Sequence, residues 1–429
     1  MTDHYSVEMQ GPGQPFAAAI EVPGDKSLSH RAIILAAMAE GVSTIHRPAT
    51  GRDVATTFEV VRQFGIEVDG ATVHSPGIDA WSQPDTALDC ANSGTTMRLL
   101  AGASAGSGLA VTLVGDEFLM RRPMRRLVEP LEALGATVLL ADDGTAPVTV
   151  TGLAPTVAAD VDIAIASAQV RSAFALGAVR AGGESTISSP PGFRDHTERW
   201  FEAMGLGRKE DASTFRIFPG DIPPYHYEIP GDPSSAAFLW ASAAIVEGAR
   251  VVTPNISLNP GRIGFLEVLE AMGATISGEV TGAILGDPVG TITVTGSGLR
   301  GTTVGGALAA AAIDELPLVA VVGSYAEGIT RVLDAGELRA KESDRIESTV
   351  ALVNALGGGA RATDGGFEVL GLGWLEEGTV EAAGDHRIAM AGAVAATGAT
   401  GPVTIAGAGA AAVSWPRFFE ALEALWSSR

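Results

Sequence analysis

The sequence lacks the features by which several protein classes are recognised. Cys90 is the only cysteine among 429 residues, which excludes an intrachain disulfide and a cysteine-based zinc site. No apolar run reaches the roughly 18 residues of a transmembrane helix, because residues 307–323 are interrupted by Asp314, Glu315 and Pro317. Residues 1–10 are polar and lack the apolar segment of a signal peptide. We therefore expect a cytoplasmic protein without membrane contact.

Positive charge is also scarce. The chain has 28 Lys and Arg residues against 50 Asp and Glu residues, a net charge of −22, which argues against a nucleic-acid partner. A small anionic substrate is still possible, because salt screens charges beyond about 8 Å and a local cluster of cations decides binding. With 46% hydrophobic and 18% charged residues, the composition is that of a globular protein.

Several catalytic motifs are missing as well. The seven histidines are scattered without a His-Glu-x-x-His pattern, so no metal site is predicted. The stretch Pro23–Ser27 lacks the spacing of a Walker A loop, and no Gly-rich stretch has the strand–turn–helix order of a dinucleotide site. We therefore expect neither a metal site nor a dinucleotide site.

The chain contains one sequence motif, which we call the phrase, that is repeated six times, roughly every 65 to 80 residues. In each copy a polar turn leads into an Ala-rich or apolar helix. The copies begin at Pro23-Gly24-Asp25-Lys26-Ser27, Asn92-Ser93-Gly94-Thr95-Thr96, Ser167-Ala168-Gln169-Val170-Arg171, Pro230-Gly231-Asp232-Pro233-Ser234, Asp314-Glu315-Leu316-Pro317 and Asp385-His386-Arg387.

Each phrase predicts a helix N-terminus, because Asp, Asn or Ser caps helices and Pro233 and Pro317 suit the first helical turn. The first helix is predicted from Lys26 to Glu40, closed by Gly41. Six helix N-termini that carry Lys, Arg and Ser indicate a site for a substrate with several negative groups.

A second helix follows in each repeat. It ends in a recurring tripeptide with a central Gly, such as Leu134-Gly135-Ala136 or Met272-Gly273-Ala274, before a short strand. Two helices and a few strands in each of six repeats predict an α/β protein of two similar domains. The Pro-rich stretch at 221–231 is the predicted linker, with one domain at 23–229 and the other formed by 1–22 plus 230–429.

Two groups of residues have the character of a polyanion site. Ser27 and Arg31 are four apart on one helix with Lys26 beside them, and Pro123 constrains the backbone next to Arg122. For Lys26, Ser27 and Arg31 the alternative is ordinary polarity at a helix start.

The second group is Lys341-Glu342-Ser343-Asp344-Arg345. In a helix, Lys341 and Arg345 would be i,i+4 neighbours with Glu342 beside them, and a carboxylate among cations suits acid–base catalysis. A salt-bridged surface helix is the alternative. Arg387 adds a cation at another helix start, whereas His386 is as readily structural as catalytic.

Taken in order, these motifs resemble the 5-enolpyruvylshikimate-3-phosphate synthase family of enolpyruvyl transferases. The resemblance spans Pro23 to about Met390. It is carried by Lys26-Ser27-Leu28-Ser29-His30-Arg31-Ala32, Asn92-Ser93-Gly94-Thr95-Thr96-Met97-Arg98, Arg122-Pro123-Met124, Ser167-Ala168-Gln169-Val170, Arg194-Asp195-His196-Thr197, Gly231-Asp232-Pro233-Ser234-Ser235, Asp314-Glu315, Lys341-Glu342-Ser343-Asp344-Arg345 and Asp385-His386-Arg387.

The resemblance implies two domains of three βαβαββ repeats each, an inside-out α/β barrel type of fold, with the active site in the cleft between them. It implies transfer of the enolpyruvyl group of phosphoenolpyruvate to the 5-hydroxyl of shikimate 3-phosphate, with release of phosphate, in the shikimate pathway to aromatic amino acids. It further implies a cofactor-free monomer that is a target of glyphosate.

The resemblance also implies roles for individual residues. The catalytic set would be Asp314, Glu342 and Lys26. The shikimate-3-phosphate set would be Lys26, Ser27, Arg31, Ser167, Ala168, Gln169, Arg194, Asp314 and Lys341. The phosphoenolpyruvate set would be Lys26, Gly94, Arg122, Gln169, Arg345 and Arg387.

The chain departs from the family pattern in places. Ser414 stands before Trp415 and Pro416 where many members carry a Lys, and Ala168 replaces a Ser found in many members. Glu337 stands where some members carry Asn and is not counted as a ligand. Gly94 retains the small residue of glyphosate-sensitive members, which implies inhibition by glyphosate.

Two other functions remain open at this point. One is the sibling transferase that acts on UDP-N-acetylglucosamine, although this usually has a reactive Cys near residues 114–120 and reads Lys-Asn where this chain has Lys26-Ser27. The other is a non-catalytic protein of the same fold that binds an anionic metabolite.

Overall fold

The computed structural model describes residues 5–428, which form two compact units. We call residues 24–229 with Ala283–Asp287 the first unit. The second unit comprises residues 5–23, Pro230–Gly282 and 288–428 of the described chain.

Thirteen α-helices lie within residues 5–428. They are α1 (Lys26–Met38), α2 (Arg52–Arg62), α3 (Gly94–Ala105), α4 (Val128–Ala133), α5 (Ala168–Ala178), α6 (His196–Ala203), α7 (Pro233–Ile245), α8 (Gly264–Ala271), α9 (Gly306–Ala311), α10 (Leu316–Ser324), α11 (Arg345–Ala355), α12 (His386–Ala395) and α13 (Phe418–Trp426).

The same part of the chain contains 23 short strands. They are β1 (Ser6–Met9), β2 (Ala17–Ala19), β3 (Glu40–His46), β4 (Glu67–Asp69), β5 (Thr72–Pro76), β6 (Leu88–Asp89), β7 (Ala110–Val114), β8 (Thr137–Leu139), β9 (Val148–Thr151), β10 (Asp160–Asp162), β11 (Ser185–Ser188), β12 (Gly207–Lys209), β13 (Thr214–Ile217), β14 (His226–Glu228), β15 (Arg250–Ser257), β16 (Thr275–Ile284), β17 (Asp287–Thr295), β18 (Thr303–Val304), β19 (Gly328–Val332), β20 (Gly359–Thr363), β21 (Gly366–Gly371), β22 (Gly378–Glu381) and β23 (Val403–Ala406).

One sheet pattern recurs through both units. In the sheet β6-β7-β9-β8, the first two strands are parallel and the others are antiparallel, and the chain order is β6-α3-β7-α4-β8-β9. The sheets β10-β11-β13-β12 and β18-β19-β21-β20 repeat the same pairing. This is the βαβαββ repeat, so the predicted α/β fold class is confirmed.

Distant parts of the chain complete the remaining sheets. In the first unit, β14 at the end of the unit pairs in parallel with β3, the second strand of the first repeat. In the second unit, β2 pairs with β15 and β1 pairs with β23. The N-terminal segment therefore supplies two strands to two different sheets of the second unit.

The helices of each repeat differ in burial, and their sequences show why. Helices α1, α3 and α5 are buried on nearly all sides, as are α7, α10 and α12. All except α10, which is mainly Val and Leu, contain at least three Ala or Gly residues. At Gly102, an added Cβ would lie 2.1 Å from the Ala173 carbonyl oxygen, so α3 and α5 approach too closely for a larger residue. The other helix of each repeat, such as α2 or α6, buries one face only.

Five of the six phrases cap a helix as expected, through the side-chain oxygens of Asp25, Ser93, Ser167, Asp232 and Asp385. The exception is α10, whose N-cap is Glu315 without a side-chain cap bond. Asp314 does not cap this helix, and its carboxylate instead contacts cationic side chains.

The predicted end of the first helix is wrong. Helix α1 stops at Met38 with Ala39 in an extended conformation, and Gly41 lies inside β3 with a φ of 124°. Glu40 and Gly41 pair with β5, so strand pairing replaces the last helical turn.

Candidate active site

Gln169 joins the starts of α5 and α3 in the first unit. Its Oε1 accepts a hydrogen bond from Arg98 Nη1 at 2.7 Å, and its Nε2 donates to Thr95 Oγ1 at 3.1 Å. Arg98 Nη2 also lies 3.4 Å from the Pro123 carbonyl oxygen. Two helix N-termini are therefore held together beside a guanidinium, an arrangement that favours anions.

Gly94 is the first residue of α3 and lies between two guanidinium groups. A Cβ added there would be 2.8 Å from Arg98 Nη1 and 3.2 Å from Arg122 Nη1. Arg122 is also oriented by a bond from its Nη2 to Asn92 Oδ1, at 3.1 Å. The absence of a side chain at Gly94 thus leaves both cations close to the helix N-terminus, where a carboxylate or phosphate would be stabilised.

Lys26 begins α1 and forms an ion pair with Asp53 of α2. The distance from Lys26 Nζ to Asp53 Oδ2 is 2.5 Å, and the Lys26 side chain is 26% exposed. The ammonium group is therefore held by a protein carboxylate while it remains accessible to a ligand.

Arg31 is more deeply buried than Lys26, Arg122 and Arg194, the other predicted cationic ligands of the first unit. It is only 5% exposed, and its three guanidinium nitrogens donate to Thr197 Oγ1, the Ser27 carbonyl oxygen and Ser172 Oγ at 2.8 to 3.1 Å. Because each guanidinium nitrogen of Arg31 already donates to a protein oxygen, Arg31 also orders the groups around it.

The other predicted ligands of the first unit are half-buried. Ser167 Oγ accepts from Val170 N at 3.4 Å and thereby caps α5, with Ala168 as the first helical residue. Ser27 is the second residue of α1. Arg194 lies in the loop two residues before α6.

In the second unit, three cations surround the carboxyl group of Asp314. Its Oδ1 lies 3.4 Å from Lys341 Nζ and 3.3 Å from Arg345 Nη1, and its Oδ2 lies 3.8 Å from Arg387 Nη2. Arg387 Nη1 donates to the Asp314 carbonyl oxygen at 2.8 Å and to Glu315 Oε1 at 3.0 Å. The anionic form of Asp314 is the one that these partners stabilise.

Arg345 is the centre of this cluster and is only 1% exposed. It is held by Asp385 at 2.7 Å and by Glu342 at 2.6 Å. Burial alone would lower the pKa of the guanidinium, but Asp385, Glu342 and Asp314 raise it overall. Burial alone would likewise raise the pKa of Asp385, and Arg345 holds it below its usual range. Both groups therefore remain charged inside the protein.

The predicted i,i+4 relation between Lys341 and Arg345 is wrong. Residues 336–340 form a 3₁₀ turn, Lys341 is extended, and α11 begins only at Arg345 with Asp344 as its N-cap. The cap oxygen of Asp344 accepts from Ile346 N and Glu347 N, which stops the helix from extending backwards. Lys341 and Arg345 meet instead through Asp314.

Several residues of these clusters were not singled out from the sequence. Arg98 lies four residues after Gly94 on α3, so helical spacing contained a signal for it. Asp53, Glu315 and Asp385 contact Lys26, Arg387 and Arg345 across 27, 72 and 40 residues of chain. No local pattern encodes such long-range pairs.

Two negative findings concern the described residues. Among residues 5–428, no group of three or more His, Cys, Asp or Glu side chains is placed to hold a metal ion. No helix in the same range has both the length and the apolar character needed to cross a bilayer.

Comparison with known proteins agrees with this geometry. The family model described as EPSP synthase (3-phosphoshikimate 1-carboxyvinyltransferase) matches residues 11–422. The chain belongs to this family. It is therefore an enolpyruvyl (1-carboxyvinyl) transferase by family, which confirms the resemblance, enzyme class and reaction type predicted from the motifs.

Named relatives have the same description. The 3-phosphoshikimate 1-carboxyvinyltransferase of Roseiflexus castenholzii is 43% identical over 413 residues, which cover 94% of this chain and 96% of the relative. A relative of the same name from Bacillus cereus is 39% identical over 412 residues, covering 95% of this chain and 96% of the relative.

Solved structures of this fold extend over almost the whole chain. EPSP synthase from Acinetobacter baumannii has a TM-score of 0.87 at 34% identity and covers 98% of each chain. The enolpyruvyl transferase NikO from Streptomyces tendae has a TM-score of 0.77 and covers 98% of each chain. NikO is only 19% identical, so that likeness concerns the fold alone.

Proposed function

We propose that this protein transfers the enolpyruvyl group of phosphoenolpyruvate to the 5-hydroxyl of shikimate 3-phosphate and releases phosphate. The observation that carries the proposal is the cluster in which Lys341, Arg345 and Arg387 surround Asp314. A binding protein needs cations for an anionic ligand, whereas a carboxylate among them adds a proton acceptor.

In the reaction, the O–H bond of the 5-hydroxyl breaks as its oxygen bonds to C2 of phosphoenolpyruvate, and the methylene carbon gains a proton. The phosphate then leaves with its C–O bond electrons, and loss of a methyl proton restores the double bond. We assign Asp314 as acceptor of the hydroxyl proton, and Glu342 with Lys26 as the groups that move the proton at the methylene carbon. Each such step is typically worth about 10² to 10⁴ in rate.

Phosphoenolpyruvate has a carboxylate and a phosphate, both suited to guanidinium forks. We assign it to the groups at Gly94 and Gln169 and to a set of cations. These cations are Lys26, Arg122, Arg345 and Arg387. The buried position of Arg345 and its contacts with three carboxylates keep that guanidinium oriented before substrate binds.

We assign shikimate 3-phosphate to the hydroxyl, amide and cationic groups at the starts of α1 and α5, together with Asp314 and Lys341. The first set is Lys26, Ser27, Arg31, Ser167, Ala168, Gln169 and Arg194. Ala168 has no hydroxyl, so its contribution is the backbone N–H at the start of α5. Arg31 is mostly committed to Thr197, Ser172 and the Ser27 carbonyl oxygen, so it acts partly by ordering α1.

We further propose that the protein acts in the cytoplasm as a monomer. Light scattering should then give a mass near 43.7 kDa. A dimer mass at micromolar concentration would contradict the monomer.

The function is tested by phosphate release from phosphoenolpyruvate with and without shikimate 3-phosphate. We expect release only with both substrates. Asp314→Asn should lower kcat by about 10² to 10⁴, because the proton acceptor is lost. Lys26→Met should reduce kcat/KM for both substrates. The matched controls are Asp364→Asn, at an exposed carboxylate of the second unit that is not a member of this cluster, and Lys209→Met, at a half-exposed lysine of the first unit.

Each other outcome has a definite meaning. Binding of both substrates without turnover would leave a non-catalytic protein of the same fold. Release with UDP-N-acetylglucosamine but not with shikimate 3-phosphate would identify the sibling activity. Full activity of Asp314→Asn would remove Asp314 from the mechanism while the transferase activity stands.

A further inference from the structure

A chain of four buried polar side chains crosses the first unit beside the proposed phosphoenolpyruvate site. His30 Nδ1 lies 2.7 Å from Thr57 Oγ1, which lies 2.7 Å from Thr96 Oγ1, which donates to Ser93 Oγ at 2.7 Å. All four residues are fully buried. We call His30, Thr57, Thr96 and Ser93 the hydroxyl chain.

The hydroxyl chain runs from α1 through α2 to the cap of α3. Thr57 Oγ1 lies between His30 Nδ1 and Thr96 Oγ1, and it also donates to the Asp53 carbonyl oxygen at 3.3 Å. Thr96 Oγ1 donates to Ser93 Oγ. Ser93 Oγ also accepts from Thr96 N at 3.2 Å as the cap of α3. The hydroxyl chain therefore ends on the group that starts α3.

The imidazole of His30 takes part in the hydroxyl chain as a neutral ring. Burial, with help from the charge of Lys26, lowers the pKa of His30 to about 3, so the ring is neutral at neutral pH. His30 Nε2 is buried and has no hydrogen-bond partner among the described residues. Only Nδ1 therefore links the ring to its surroundings, and that bond is the one to Thr57.

The hydroxyl chain lies next to the ion pair of the site. His30 is four residues after Lys26 on α1, and Thr57 is four residues after Asp53 on α2. The two helices are thus joined by two successive contacts, the ion pair between Lys26 and Asp53 and the neutral hydrogen bond between His30 and Thr57. The bond between His30 and Thr57 continues to α3 through Thr96.

The hydroxyl chain ends beside the groups that would contact a bound anion. Ser93 is directly followed by Gly94, and Thr96 is two residues before Arg98. A displacement of a few tenths of an ångström in this turn changes the space between Gly94 and the guanidinium groups of Arg98 and Arg122. A shift of α3 relative to α1 and α2 would therefore reach the anion directly.

We propose that His30, Thr57 and Thr96 are positioning residues that hold the first turn of α3 against α1 and α2 and thereby set the affinity for phosphoenolpyruvate. They touch neither substrate and act through Ser93, Gly94 and Arg98. The inference rests on the proposed function, because it assumes that phosphoenolpyruvate binds at Gly94.

The decisive variant is Thr57→Val, which keeps the shape of the side chain and removes the hydroxyl from the middle of the hydroxyl chain. We expect KM for phosphoenolpyruvate to rise about fivefold or more, because one net hydrogen bond is worth that much. KM for shikimate 3-phosphate and kcat should each change by less than about twofold, because Thr57 forms no hydrogen bond with the groups assigned to that substrate or to proton transfer. Thr57→Ser keeps the hydroxyl and should restore the wild-type KM.

The matched control is Thr156→Val. Thr156 is also a buried threonine of the first unit, and its Oγ1 donates to the Gly177 carbonyl oxygen at 3.0 Å, near the C-terminal end of α5. This variant loses a buried hydrogen bond of similar kind at the end of α5 opposite Gln169. We expect a comparable fall in Tm without a change in KM for phosphoenolpyruvate.

Three results would overturn the inference. Equal KM values for phosphoenolpyruvate in Thr57→Val and Thr156→Val would make the hydroxyl chain purely structural. Equal increases for both substrates would remove its selectivity, and failure of Thr57→Ser to restore KM would remove the hydroxyl as the cause.

The proposed function is judged separately in the same assay. Turnover by the wild type with an unchanged KM in Thr57→Val rejects the inference and keeps the function. No turnover by the wild type rejects both. If Thr57→Val does not fold, Thr96→Val breaks the next bond of the hydroxyl chain and should show the same selective change.

Discussion

Gly94 shows that a single residue can control the space available in this site. Gly94 is buried at the start of α3, and its missing side chain leaves room for the ends of Arg98 and Arg122. The small residue was recognisable from the sequence through its motif. Arg98 was not singled out, although its position four residues after Gly94 on α3 places the two on one side of the helix.

Gly94→Ala should therefore weaken phosphoenolpyruvate binding and glyphosate inhibition together. The new Cβ would displace Arg98 Nη1 and Arg122 Nη1, which lie 2.8 and 3.2 Å from it. Loss of one charge-assisted bond is worth about 1.5 to 3 kcal/mol, so KM for phosphoenolpyruvate should rise about 10- to 100-fold. Steady-state kinetics with glyphosate as the inhibitor measure both effects.

Gly182→Ala is the control for that substitution, because nothing lies within 4 Å of a Cβ at this exposed position. The wild type should be inhibited by glyphosate in competition with phosphoenolpyruvate. Full wild-type activity at millimolar glyphosate, with phosphoenolpyruvate near its KM, would contradict the expected sensitivity.

At the scale of elements, the turn between the second helix and the following strand is repeated with a glycine of positive φ. Gly135 has a φ of 85° and Gly273 has a φ of 109°. Both follow a helix, α4 and α8 respectively, and precede a strand. A residue of positive φ ends the helix and redirects the chain. Glycine adopts this conformation most readily, so the repeated Gly was visible in the sequence.

Gly273→Ala should destabilise the second unit by roughly 1 to 2 kcal/mol, because an L side chain is strained at positive φ. The added Cβ would also lie 2.8 Å from the Gly298 carbonyl oxygen. Gly298→Ala is the matched control, since nothing lies within 4 Å of a Cβ there. Thermal unfolding should show a lower Tm only for Gly273→Ala, and equal Tm values would contradict the proposed strain.

At the start of one helix, long-range ion pairs replace the expected cap bond. Asp25, Ser93, Ser167, Asp232 and Asp385 cap their helices, so the rule that Asp and Ser start helices predicted them. Asp314 has the same sequence context but contacts Lys341, Arg345 and Arg387. Distant cations outweigh a local cap bond, and no local rule includes them.

For the whole molecule, buried titratable groups make the free energy of unfolding depend on pH, and the two units should respond differently. The pKa of His30 in the first unit is lowered to about 3, whereas an unfolded histidine titrates near 6.5. Below pH 6.5 the unfolded chain therefore binds a proton that the folded unit does not, so stability falls with pH until about 3. Asp385 in the second unit has a pKa below its usual 3.8, so its contribution is lost only in stronger acid.

Hydrogen exchange of α1 and α3, corrected for intrinsic rates, measures this effect in the first unit. Between pH 7 and 5 the wild type should lose about 2 kcal/mol more opening free energy than His30→Gln, which has no titrating ring. His74→Gln, at an exposed histidine of the same unit, should behave like the wild type. Equal losses in wild type and His30→Gln would show that His30 does not cause the acid sensitivity.

The sequence by itself determined what short-range physics controls. Repeats of capped helices, Ala-rich cores and glycine-terminated helices predicted an α/β fold of six repeats, because these signals depend on neighbours along the chain. The motifs at Lys26, Gly94 and Arg345 identified the family. The ends of α1 and α11 were misjudged, since the strand pairing of Glu40 and the cap bond of Asp344 override helical spacing.

Only the tertiary structure decided which side chains meet. It placed Asp314 among three cations, buried Arg345 between Asp385 and Glu342, and joined His30 to the cap of α3. These contacts join residues up to 73 positions apart. They form because charged and polar groups in a packed interior must find partners, and packing determines which partners lie within reach.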